Sequence, residues 1–395
     1  MIIQNVDFGE VESEELIHLI EQFLDIFDDY KGSADLIVSV CERAIPLARM
    51  EKKWYLFFVF YNTLFLRASS YGDSRKAIKY AEQFFTDCAN ILPEASVRYS
   101  HTNITEAVMN GFSQIFCAYK SYHQITDQKL EEFISFYEKT SQRYGEEYKF
   151  HIEILEYGLE LMDFDTAKRG YLGIKENPLS GTHCYICMLR QTLGYYAMTG
   201  QHEKARAQVK QVIHKRIPAK YRSAYDTCPI SNSACQYRNL LNYYARFGER
   251  QEYQRILEEG AIQMENYTDK FGMNAEMAYH LAVSGRFPHM DTYLNMFLDE
   301  VKSMENGGRT YVIMRNMTVW SIYFKKLDKS GIHEIKLECD SGQIPEKNED
   351  GLMSVKSLSD WCIRNADRLG QKFEEARKLF HYEEFKNNYQ KCAGM

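Results

Sequence analysis

One internal repeat constrains the fold of this chain more than any other feature. Residues 187–200, Cys-Met-Leu-Arg-Gln-Thr-Leu-Gly-Tyr-Tyr-Ala-Met-Thr-Gly, align without a gap to residues 235–248, Cys-Gln-Tyr-Arg-Asn-Leu-Leu-Asn-Tyr-Tyr-Ala-Arg-Phe-Gly, with seven of 14 positions identical. In each copy the glycine closes one apolar-periodic helix and a second amphipathic helix follows, so the repeated unit is a helical hairpin. Such a unit cannot bury its own apolar stripe, so it must stack on neighbours of the same kind.

The rest of the chain agrees with that reading. Apolar residues recur at three- and four-residue spacing almost throughout, with turn signals every 15 to 20 residues, and only 7 prolines interrupt 395 residues. Hydrophobic residues make up 45% and charged residues 26%, which excludes a disordered chain. The 29 tyrosines suit helix faces packed on one side and wet at the hydroxyl. Extended structure is expected only at Ile332–Leu337, before a polar loop at 341–352 that contains turn dipeptides and marks the clearest boundary. Beyond it, Ser357–Asp360 reads as the cap of a C-terminal helix spanning 353–395 that packs on or extends the array.

The residues 193–205, Leu-Gly-Tyr-Tyr-Ala-Met-Thr-Gly-Gln-His-Glu-Lys-Ala, resemble the heart of a tetratricopeptide repeat, with Tyr196 in the first helix, Gly200 in the turn and Ala205 where the second helix approaches closely. The second copy departs from that pattern because Tyr253 stands where the small residue belongs, which predicts a wider spacing there. Fainter units follow around Gly72 with Ala77, around Ala167 and around Ala282 with Gly285. The resemblance covers 185–290 best. It implies an all-α, right-handed superhelical array of antiparallel helix pairs over 1–340, a tetratricopeptide-like α-solenoid whose first helices line a concave ligand surface. In size and helical build the chain is similar to the repeat part of bacterial peptide-sensing regulators of the Rap type.

That resemblance assigns candidate groove residues. Arg190 and Arg238 share one register, three positions after the repeated cysteine, and two guanidiniums there can grip carboxylates or peptide carbonyls; pairing with acidic neighbours in adjacent helices accounts for them equally well. Asn239 and Asn242 lie close by, and an amide reads a peptide backbone through its donor and acceptor together. Of the tyrosine pairs, Tyr195 and Tyr243 are assigned to the groove, since adjacent helical residues diverge by about 100°. Arg206 falls on a second helix, away from the groove.

Other function classes find little support. A net charge of -7 argues against a phosphate-backbone partner, and the basic stretch Lys204–Arg222 reads as a solvated helix face. The longest apolar run, Trp54–Leu66, falls short of the ~20 residues that span a bilayer, and residues 1–7 lack the pattern of a signal peptide. Ten cysteines spread over so long a chain read as reduced thiols of a cytoplasmic protein. Gly-rich phosphate loops and zinc-protease, nucleophile-elbow and EF-hand motifs are all missing from the sequence, so no enzyme and no cofactor is expected.

The most tempting metal constellation is Cys184-Tyr185-Ile186-Cys187 with His183, His214, Cys228 and Cys235. Cys187 and Cys235 occupy one repeat position, however, which packing explains without a metal. The expected function is therefore a non-enzymatic module that binds a protein or an extended peptide, with a scaffold or the sensory part of a larger signalling assembly as the alternative.

Overall fold

The computed structural model describes residues 11–27, 34–71, 74–98, 101–177, 184–222, 225, 228–269, 273–337, 344–345 and 347–395. Within these, helices dominate: α1 (Glu14–Phe27), α2 (Ala34–Met50), α3 (Trp54–Tyr71), α4 (Ser74–Arg98), α5 (His101–Tyr119), α6 (Asp127–Tyr144), α7 (Glu147–Leu161), α8 (Phe164–Glu176), α9 (Tyr185–Met198) and α10 (His202–Ile213). A 3-10 turn at Ala219–Tyr221 precedes α11 (Ser233–Arg246), α12 (Arg250–Glu265), α13 (Ala275–Val283), α14 (Met290–Glu305), α15 (Thr310–Lys329), α16 (Val355–Ala376) and α17 (Tyr382–Cys392). The chain divides into two compact units, residues 1–146 with 303–309, and residues 147–302 with 310–395. The division thus falls between Glu146 and Glu147, and the polar loop expected to mark a boundary lies inside the second unit.

In the first unit, α2 packs on α3, and α3 packs on both α4 and α5. The core is a chain of edge-to-face aromatic contacts, Phe57 to Tyr61 at 4.9 Å, Tyr61 to Phe84 at 5.4 Å and Phe84 to Phe112 at 5.8 Å.

The second unit is built of hairpins. Helix α7 pairs with α8, α9 with α10 and α11 with α12, while α7, α9, α11, α13 and α15 each touch the next in that series. The turns show why the sequence repeats: Gly200, Gly248 and Gly285 adopt φ of 68°, 68° and 79°, a left-handed conformation that costs any other residue about 1–2 kcal/mol. Around each, the same two backbone bonds close the first helix, from Gly200 N–H to Ala197 O, Gly248 N–H to Ala245 O and Gly285 N–H to Ala282 O, each with a partner bond one residue on.

Small residues set the close crossings. Ala205 is fully buried in α10, as the repeat pattern predicts. In the α11–α12 pair Tyr253 turns toward α13, and the intimate contact moves to Gly260, where a Cβ would stand 2.9 Å from Leu241 Cδ1.

The expected strand is present as β1 (Glu334–Lys336), paired antiparallel with β2 (Leu352–Ser354), with buried Ile335 opposite buried Met353. Asn348 fastens this hairpin by accepting from the Asp350 and Leu352 N–H groups. Residues 338–343 and 346 of the intervening loop lie outside the described residues, as does Gly72. The C-terminal segment differs from the single helix expected. Ser354, rather than Ser357, caps α16, the helix stops at Arg377, whose φ of -132° breaks the period, and α17 follows as a separate element. Helix α17 folds back onto α11 and α12. There Asn388 Nδ2 donates to Arg246 O at 2.9 Å and Lys391 Nζ donates to Gly248 O at 2.9 Å, closing carbonyls that the end of α11 would leave open.

Candidate functional site

The residues that stand out in the second unit are polar groups buried along its first helices. Counting back nine positions from each left-handed turn residue, Met162, Gly200, Gly248 and Gly285, arrives at Glu153, Gln191, Asn239 and Glu276. All four are less than a tenth exposed. Consecutive first helices thus carry one buried polar side chain at a single register, on α7, α9, α11 and α13. Burying such groups is unfavourable unless they are hydrogen-bonded or used.

Their surroundings are equally polar. Arg190 on α9 meets Glu156 on α7 at 3.2 Å, a pair a quarter to a third exposed and so the most accessible part of the row. On α11, Arg238 donates to Asn239 Oδ1 at 3.1 Å, and Arg246 donates to Leu159 O at 3.3 Å. Tyr243 donates to Gln191 Oε1 at 3.0 Å, tying α11 to α9. Arg315 on α15 pairs with Glu276 at 3.3 Å. Burial alone would raise the Glu276 carboxyl, yet Arg315, Arg238 and Arg246 outweigh it and hold the group below the usual carboxylate range.

His280, fully enclosed on α13, is neutral. Burial depresses its pKa to about 3, against the opposing pull of Glu276. Its hydrogen bonds assign one tautomer: Nε2–H donates to Asn242 Oδ1 at 2.6 Å, and the Tyr253 hydroxyl donates to Nδ1 at 3.0 Å.

Three donors in the row are left over. Arg190 Nε, Arg246 Nε and Asn239 Nδ2 are buried and meet no acceptor among the described residues. Each such group costs about 1–3 kcal/mol when unsatisfied, and all three are donors, so the chemistry that completes them is acceptor-rich: a carboxylate or a run of peptide carbonyls.

Of the residues expected in a groove, Arg190, Arg238, Asn239, Asn242 and Tyr243 come together here, though only Arg190 has substantial exposure. Tyr195 stands apart. Its ring stacks on Tyr171 of α8 at 4.0 Å and 13°, so it joins a first helix to the preceding second helix. Arg206 lies on α10 and is engaged by Glu203 and Glu252, consistent with its placement on a second helix. Sequence reasoning missed Glu153, Gln191, Arg246, Glu276 and His280. The turn glycines carry the signal that finds Gln191, Asn239 and Glu276, while Met162 conceals the fourth, Glu153, because nothing in its side chain announces a left-handed turn.

The constellation that the sequence offers, and that packing was expected to explain without a metal, separates. Cys235 is buried at the α11 cap, where Asn232 holds its backbone N–H at 2.8 Å, while Cys184, Cys187 and Cys228 approach one another. His183 lies outside the described residues. Hydrogen bonds from the Cys187 and Cys228 thiols push the Cys184 thiol down, and the same contacts push Cys187 up.

No protein-family model, curated protein or solved structure matches this chain.

Proposed function

We propose that the second unit is a non-enzymatic receptor for an extended peptide or a peptide-like segment of a partner protein, taken up along the first helices of a tetratricopeptide-like superhelical array. The observation that carries this reading is the register of Glu153, Gln191, Asn239 and Glu276. A side chain that recurs once per helix pair meets a ligand that also recurs, and a peptide backbone offers an acceptor and a donor at every residue. The acceptor-poor donors of Arg190, Asn239 and Arg246 select the carbonyl edge or terminal carboxylate of such a ligand. Entry is at the Arg190–Glu156 pair, the most exposed part of the row, where an incoming carboxylate can replace Glu156 on the guanidinium.

The test is selection from a random linear peptide library displayed on phage, followed by binding of the enriched synthetic peptides to variants. Asn239→Ala and the Arg190→Ala, Arg238→Ala pair are expected to weaken binding by tenfold or more, most strongly at low salt. Arg206→Ala, which breaks pairs with Glu203 and Glu252, is expected to lower the melting temperature and leave peptide affinity within twofold. A library that yields no enriched sequence, or enriched peptides that bind Asn239→Ala and the double variant as tightly as the wild type, would overturn the reading.

A further inference from the structure

The segment 214–232, between α10 and α11, is unusually long for a connection in a helical-hairpin array, where two to eight residues suffice. It has its own small core: Ile217, Tyr225 and Cys228 pack with Ile186 and Leu189 of α9 and Val212 of α10. Tyr221 stacks flat on Tyr185, with centroids 4.6 Å apart at 6°. These contacts bring Cys228 to the start of α9, where Cys184 is the N-cap and Cys187 lies in the first turn. The three sulfurs all lie within 4.8 Å of one another.

We propose that Cys184, Cys187 and Cys228 form a binding site for a thiophilic divalent cation of the zinc type, which fastens the connector to the α9 N-terminus. A tetrahedral ion with metal–sulfur bonds of ~2.3 Å holds its sulfurs about 3.8 Å apart, so the three thiols need draw in by no more than about 1 Å. The spacing Cys-x-x-Cys places two ligands on one helical turn, the third arrives from the connector, and a water completes the tetrahedron.

The backbone is also prepared for thiolates. The N–H groups of Ile186 and Cys187 point at Cys184 sulfur, and the N–H of Ile230 points at Cys228 sulfur. Open N–H groups at the start of α9 favour negative charge there. Binding exchanges protons for metal: the cation enters, each thiol proton still present leaves to solvent, and no electron moves. Three thiolates leave a dication with one excess negative charge. The connector sequence is itself basic, with Lys215, Arg216, Lys220 and Arg222 against a single acid, Asp226. Repeat register cannot reveal the site, because Cys187 and Cys235 share a register and only Cys187 has the connector cysteine beside it.

The experiment is metal loading of the full chain under reductant. Zinc added in excess and then dialysed is expected to remain at one ion per chain by elemental analysis. Cobalt in its place is expected to give the intense near-ultraviolet charge-transfer band of thiolate ligation. Cys184→Ser, Cys187→Ser and Cys228→Ser are each expected to lose more than about tenfold in zinc affinity and to lower the cobalt band, while Cys235→Ser changes neither. The wild-type cobalt spectrum needs no variant to fold. Its absence, retention of zinc by Cys228→Ser, or a disulfide among the three residues in place of metal would each overturn the assignment.

Discussion

His280 makes the stability of the second unit depend on pH. The imidazole is fully enclosed, donates to Asn242 and accepts from Tyr253, and is flanked by Glu276, which favours its cation, and by Arg238, which opposes it. Burial dominates, and the folded pKa of about 3 lies below the value of 6.5 for a solvated histidine. For a depressed folded pKa the contribution is complete above the unfolded value. It is lost as pH falls, because the unfolded chain takes up a proton that the folded chain refuses. At pH 5 the penalty is about 2 kcal/mol, from 1.36 kcal/mol per pH unit below 6.5, and at pH 7.5 it is close to zero. No screening discount applies to a group so deeply enclosed. Glu276 is also depressed, but its contribution is lost only as pH drops through the carboxylate range below 4.5, so the interval from pH 7.5 to 5 keeps these two groups apart. The assay is urea unfolding followed by the fluorescence of Trp320 and Trp361, with Trp54 of the first unit replaced by Phe. A loss of about 2 kcal/mol is expected for this background, and a flat profile at lower overall stability for His280→Gln. A change below about 0.5 kcal/mol, or an equal slope in the glutamine variant, would refute the reasoning.

Further outcomes follow from the close crossings and the turns. Gly158→Ala puts a Cβ 2.2 Å from the Ala167 backbone nitrogen, so urea unfolding is expected to show a loss of about 1–3 kcal/mol despite the ~1 kcal/mol gain in helix propensity. Gly200→Ala and Gly248→Ala both force an L-residue to φ 68°. The second is expected to cost more in melting temperature, because its Cβ also meets Asn388 Oδ1 at 2.4 Å and disturbs the bond to Arg246 O. Removing residues 382–395 uncovers Tyr244, Tyr253 and Tyr279, and is expected to raise the hydrogen exchange of α11 and α12 while leaving α2 and α3 unchanged.

Much of the helical fold is legible because it rests on local chemistry. A glycine that closes an apolar-periodic helix and is followed by an amphipathic stretch reads as a left-handed turn and a hairpin. Of the β-hairpin only the first strand is legible, at Ile332–Leu337; the second, Leu352–Ser354, falls where the sequence reads as loop and helix. What sequence could not supply is which polar groups become enclosed. Asn242 reads as a groove amide until α13 brings His280 against it, and Arg238 reads as a groove residue although it is buried and donates to Asn239 of its own helix. Tyr195 and Tyr243 share a register and yet face different neighbours, one the second helix α8 and the other Gln191 of α9, because the hairpins on either side are not alike. The three thiols are all legible in the sequence as candidate ligands, but which of the cysteines and histidines meet is not, since the course of the connector that carries Cys228 is set by tertiary contacts.

The return of α17 to the middle of the second unit bears on how the chain is made. Asn388 closes a carbonyl of Arg246 across 142 intervening steps of sequence, and Lys391 closes Gly248 across 143. At synthesis rates of about 5–20 residues per second, the end of α11 waits roughly 7–30 s for its final partner. Hairpins built of local contacts form in far less time, so α11 and α12 pass through a stage in which Tyr244, Tyr253 and Tyr279 lie uncovered on an otherwise folded surface. A nascent chain arrested before residue 382 is therefore a better substrate for a hydrophobic-binding chaperone than one arrested a dozen residues later.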